Sequence, residues 1–190
     1  MASALRPGAV AIAAALTLAG PAQAQEGYQY WHYSHLENGS WAFAETGPAD
    51  FTPEDGVVEG FRFGTSTMSQ PIEPRADLDE VGFDSVCADA EAADGEKRVA
   101  VVVDFGTEED AEGADVPEPL AECAVVPTDA NGSQVLESVV DVRQGDGGMT
   151  CALDGYPAQG CGDPVKNAEV SADEDPVSFT LPASDTEETE

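Results

Sequence analysis

The stretch YQYWHYSHLENGSWAF, residues 28–43, decides the fold. Its side chains alternate with period two, which is the pattern of a strand. Tyr28, Tyr30, His32, Ser34 and Leu36 fall on one face; Trp31, Tyr33 and His35 fall on the other. Asn38-Gly39 then signals a tight hairpin, because a type I′ turn needs positive φ at both central residues. A two-residue turn at that point sets Leu36 opposite Trp41, Ser34 opposite Phe43 and Tyr33 opposite Ala44. Aromatic cross-strand pairs of this kind stabilise a ribbon by about 0.2–1 kcal/mol each.

Outward from the hairpin, the turn TPEDG leads into VVEGFRF (residues 57–63), and the three segments read as a meander. Residues 64–86 are polar and loop-like. KRVAVVVDF (residues 97–105) is apolar on both faces up to Asp104, the signature of a central strand. An acidic loop is expected over residues 106–119. ANGSQVLESVVDVRQG (residues 130–145) reads as the one good helix: Asn131 and Gln134 form a capping box, Val135, Leu136, Val139 and Val140 make the apolar stripe, and Gly145 follows the end. MTCALDGYPAQGCG (residues 149–162) reads as a short strand, a turn and a disulfide-tethered loop.

Upstream, Arg6, the apolar run at residues 8–20 and the Ala22-Gln-Ala24 pattern predict a signal peptide over residues 1–24. The apolar run is shorter than the roughly 20 residues that span a bilayer, so no membrane insertion is expected after cleavage. Residues 25–166 are expected to form a single strand-rich domain. Residues 167–190, with eight acids and no Lys or Arg, are expected to be an acidic disordered tail.

Cys87, Cys123, Cys151 and Cys161 form an even set in a chain expected to be exported, which predicts two disulfides. Three pairings are open. Cys87–Cys123 with Cys151–Cys161 is preferred because each pair brackets a compact segment. Zinc ligation is the competing use, but no C-x-x-C pair is present.

The formal charge of −31, or −32 once Arg6 is removed, repels phosphates and anionic lipid and argues against nucleic acid as a partner. The acids are spread along the whole chain, which fits solubility or salt adaptation better than one acidic site. Catalytic signatures are missing: there is no G-x-S-x-G elbow, no H-E-x-x-H and no P-loop, and 38 acids make any carboxylate pair uninformative. A non-enzyme is expected, with no cofactor. His32 and His35, three apart in a strand, point to opposite faces and would not chelate one metal ion. GTEEDAEGAD (residues 106–115) lacks the spacing of an EF-hand. The NGS sequons at Asn38 and Asn131 are explained by turn and cap chemistry.

Two resemblances add to this reading. The segments YWHY…GPA…DGVVEGFRF, KRVAVVVDFGT and CALDGYP…GC resemble, over residues 27–162, a family of exported actinobacterial proteins encoded beside energy-coupling-factor vitamin or metal transporters. More distantly, the hairpin with DGVVEGFRF is similar to the last hairpin region of the transcobalamin-like β-domain. The run from residue 97 to CALDGY is similar to the first half of that domain. The halves stand in reversed order, as in a circular permutation, which is tolerated where termini lie close together. The resemblance implies an α+β, β-grasp-like mixed sheet crossed by the helix at 133–143, and it requires the 97–105 strand to sit inside the hairpin's sheet. It also implies that the hairpin faces a ligand. The helical domain that encloses a corrinoid in those relatives has no counterpart among the quoted segments, which argues against tight cobalamin binding.

Trp31, Tyr33, Trp41 and Phe43 are therefore the candidate ligand-binding residues, one face of the hairpin being core and the other free to stack on a planar molecule. The expected role is a secreted domain that binds or delivers a vitamin-like or corrinoid-like compound for an energy-coupling-factor type transporter. The alternative is a module that docks on such a transporter without a free ligand.

Overall fold

The computed structural model describes residues 26–111, 115–168, 170 and 174–182. The expected signal peptide lies outside them. Among the described residues, ten strands and α-helices follow in order: β1 (Glu26–Glu37), β2 (Ser40–Phe43), β3 (Val57–Thr67), α1 (Phe83–Val86), β4 (Glu96–Asp104), β5 (Leu120–Pro127), α2 (Gly132–Glu137), β6 (Val142–Gln144), β7 (Thr150–Leu153) and β8 (Asp163–Lys166).

One mixed sheet carries the fold, in the order β2-β1-β3-β4-β5, with β8 also paired to β1. The hairpin forms in the expected register, with Leu36 opposite Trp41 and Ser34 opposite Phe43. The Ala44 amide donates to the Tyr33 carbonyl at 3.0 Å. Asn38 (φ 52°) and Gly39 (φ 79°) supply the two left-handed residues that the turn requires. The expected meander is corrected: β3 pairs with β1, not β2, so β1 is flanked on both edges. β4 lies between β3 and β5 in this same sheet, parallel to β3 and antiparallel to β5. Its four valines, Val99 and Val101 to Val103, are fully buried, as a strand covered on both faces demands.

Two further expectations are revised. The helix ends at Glu137 rather than reaching Gly145, and Val142–Gln144 form β6, paired with β7 across a bulge. The capping box holds: the Gln134 amide donates to Asn131 Oδ1 and the Asn131 amide to Gln134 Oε1, both at 3.0 Å. Beyond it, Ser138 Oγ bonds back to the Val135 carbonyl at 2.7 Å, and the β-branched Val139, Val140 and Val142 favour extended backbone. Residues 174–182, expected to belong to a free tail, lie against the domain instead. Val177 bridges to Ala76 and Thr180 to Leu120.

Each face of the sheet has its own core. On the first, Trp31, Tyr33, Phe61 and Phe63 pack with Val99, Val101 and Val103 against Val135 and Leu136 of α2 and Leu153 of β7. On the second, Val58, Ala100, Val102 and Ala121 pack against Val81, Val86 and Cys87 of the crossover that makes the β3–β4 pair parallel. The Cys87–Cys123 disulfide ties that crossover to β5, and Cys151–Cys161 ties β7 to the segment before β8. Both pairings are the preferred ones, and disulfide bonding is the state of a domain outside the reducing cytoplasm. No helix among the described residues is long and apolar enough to cross a membrane.

Candidate functional site

Strand alternation in β3 sends Glu59, Phe61 and Phe63 to the first face and Val58, Gly60 and Arg62 to the second. Arg62 is thereby placed under the crossover, only 4% exposed. Its Nη1 donates to the Glu73 carbonyl at 2.8 Å, and its Nη2 donates to the carboxylate of Glu174. Its Nε lies 3.7 Å from Asp104 Oδ2 and has no hydrogen-bond partner among the described residues.

Asp104, fully buried at the end of β4, is held chiefly by Arg75. Arg75 donates from Nε to Oδ2 at 2.9 Å, from Nη2 to Oδ1 at 2.7 Å and from its backbone amide to Oδ2 at 3.0 Å. Its Nη2 also reaches the Gly106 carbonyl at 2.6 Å. Hydrogen bonding to Asp104 holds the Arg75 guanidinium above its already high pKa.

A cleft of about 480 Å³ opens over these groups, walled by Trp41, Ile72, Pro74 and Pro176, with Arg62, Arg75 and Glu174 along it. A smaller pocket of about 180 Å³ shares Arg62, Ile72 and Glu174 and extends to Thr65, Thr107 and Asp110. Trp41 reaches the cleft wall because Gly60 has no side chain: a Cβ there would stand 2.6 Å from the indole ring.

The four candidate aromatics divide between the faces. Trp31 (5% exposed) and Tyr33 (6%) are core of the first face, against Phe63 and Phe61, so their assignment as ligand-stacking surface is corrected. Trp41 is half-buried in the cleft wall. Phe43, 47% exposed, stands beside His32, its ring centroid 6.2 Å away. Arg62, Arg75, Asp104 and Glu174 were not anticipated. The available signal was a lone arginine inside the apolar run VVEGFRF, and an aspartate closing VAVVVD.

His32 and His35 do point to opposite faces. His32, level with Arg62, is buried with neither ring nitrogen partnered among the described residues. Burial, then the neighbouring Arg62, lowers its pKa to about 3. His35 Nδ1 lies 2.9 Å from Glu59 Oε2 on the first face, its ring tilted against that of Phe51 with centroids 4.4 Å apart. Burial raises the Glu59 carboxyl, and burial followed by the nearby Glu59 raises the Tyr33 phenol. Lys97 Nζ, also buried there, donates to the Pro53 and Ala130 carbonyls at 2.6 and 2.7 Å. This group binds loop to helix and opens onto none of the cavities described above. Among the described residues no three His, Cys, Asp or Glu side chains converge as metal ligands.

Comparison with curated proteins gives no match, and comparison with solved structures gives none. The family model of the SCO2322-like domain matches residues 22–166, most of the chain and all eight strands, and the protein belongs to that family.

Proposed function

We propose that this is a non-enzymatic extracytoplasmic binding domain, and that the cleft beside Trp41 takes a small molecule with a flat apolar body. The observation that carries the reading is the Trp41 indole set in the wall of a 480 Å³ cleft that ends on buried Arg62. Ligand sites combine this kind of apolar wall with a few convergent polar groups, typically in about 300–1,000 Å³. The volume suits a vitamin-sized molecule better than a corrinoid macrocycle with its side chains. The likeness to proteins encoded beside energy-coupling-factor transporters supports delivery to such a transporter, and the likeness to the transcobalamin-like β-domain supports a hairpin-borne site.

A second reading, a module docking on the transporter itself, is favoured by Tyr28 and Phe43, each 47% exposed. Fluorescence separates the two. In a Trp31→Phe variant, Trp41 is the sole tryptophan. A saturable change on titration with flat vitamins, corrected for their absorbance, supports ligand binding. A flat response, with transporter association lost in Phe43→Ala, supports docking.

A further inference from the structure

We infer that the cleft anchors its ligand through a single carboxylate on Arg62, and that Glu174 occupies that position within the chain until the ligand replaces it. The inference rests on the cleft being the binding site.

The charges fix the ligand class. Arg75 is consumed: its guanidinium is spent on both oxygens of Asp104 and on the Gly106 carbonyl. Arg62 is not. It is buried, and among the described residues its Nε is unpartnered and the one carboxylate that hydrogen-bonds to it is Glu174. Without Glu174, Arg62 and Arg75 stand against Asp104 and, along the cleft, Glu73, which leaves at most one positive charge: enough for a monoanion and too little for a phosphate dianion. The overall charge of −31 further disfavours polyanions. A guanidinium holds a carboxylate strongly once water is excluded, so exchanging one carboxylate for another keeps the pairing that burial demands.

Glu174 is suited to this exchange. It lies in residues 174–182, which are held at their far end, where Phe179 packs on the second core, and by backbone bonds: Val177 amide to Arg75 carbonyl at 2.9 Å, Thr180 amide to Pro119 carbonyl at 3.0 Å and Ala121 amide to Thr180 carbonyl at 2.9 Å. Its side chain keeps 20% of its exposure, whereas that of Arg62 keeps 5%. An intrachain competitor acts at a millimolar-scale effective concentration, so it weakens ligand binding without preventing it.

Isothermal titration calorimetry with 2-naphthoate and the neutral 2-naphthylmethanol tests this on the disulfide-bonded protein. The acid is expected to bind Glu174→Gln about tenfold more tightly than the native chain. The alcohol is expected to bind neither better than the other. Glu174→Gln combined with Arg62→Lys, which keeps the charge and is checked for fold by circular dichroism, should lose most of the gain. If acid and alcohol bind alike, or if Glu174→Gln gains nothing, the carboxylate anchor is overturned while the cleft remains a binding site. If neither compound binds any variant, the cleft reading falls with it.

Discussion

Asp104 and Arg75 meet as a fork on a fork, two parallel hydrogen bonds of 2.9 and 2.7 Å formed where Asp104 has no contact with solvent. Two cations depend on this one carboxylate, since Arg62 also stands against it. Replacing one partner of a buried pair strands the others, at a cost of about 3–5 kcal/mol. Asp104→Asn is therefore expected to lower the unfolding free energy, measured by urea titration, by that amount. A loss below about 1 kcal/mol would mean that water relieves the two arginines.

The two disulfides differ in what they enclose. Cys87–Cys123 spans 36 residues and Cys151–Cys161 spans 10. Loop-closure entropy assigns them about 4 and about 3 kcal/mol. Only the first also fixes a layer, since Val81 and Val86 reach the sheet through the crossover it ties down. The Cys87→Ala, Cys123→Ala variant should lose the larger share of stability and expose the second core, read as added dye binding. The other double variant should show the smaller loss with no added dye binding.

His32 predicts an acid-sensitive term with a definite sign. Its folded pKa, about 3, lies below the ordinary 6.5, so the fold favours the neutral ring. The contribution is complete above pH 6.5 and is lost towards pH 3, at about 1.4 kcal/mol per pH unit. Glu59 acts the other way: its raised carboxyl takes up a proton in the fold, which adds stability as pH falls. Comparing variants isolates the histidine. His32→Phe removes two nitrogens that have no partner among the described residues, so it should be no less stable than the native chain at pH 7, and more stable by about 2 kcal/mol at pH 5. Parallel curves for the two proteins in urea would refute this.

Lys97 is a buried ammonium that serves two backbone carbonyls, at Pro53 before β3 and Ala130 before α2. Lys97→Met keeps its length but orphans both acceptors, with an expected loss of about 2–3 kcal/mol. Lys166→Met, on an exposed residue of β8, should stay within about 0.5 kcal/mol of native. Chemical unfolding of the two variants side by side checks both.

What the sequence made legible was local. Asn38-Gly39 sets the hairpin register through its own backbone preference, and the valine run of β4 announces a strand covered on both faces. What it hid was set by partners distant along the chain. Leu120–Pro127 is a strand because β4 pairs with it, and its short ECAVV run carries no clean alternation. Val139 and Val140 continue the helical stripe of Val135 and Leu136 on paper, yet the helix stops at Glu137 and β7 draws Val142–Gln144 into a strand pair. Trp31 and Tyr33 read as a binding surface as readily as a core, because alternation shows which residues share a face but not which face is covered. The cleft was least visible, since Arg62, Arg75, Asp104 and Glu174 come from four segments that converge only after the crossover is laid down.

β8 rests on the outer edge of β1, pairing Lys166 with Glu26 and Asp163 with Gln29, so the last strand closes on the first. A chain that emerges amino end first has β1, β2 and β3 within reach of one another early. It cannot seat β8 until residue 166 has followed. Throughout that interval the Glu26–Gln29 end of the nascent strand, which includes the aromatic Tyr28, keeps an open edge. That is the part of the newborn domain most exposed to mispairing with a neighbouring chain, and the part where a folding helper has the longest time to act.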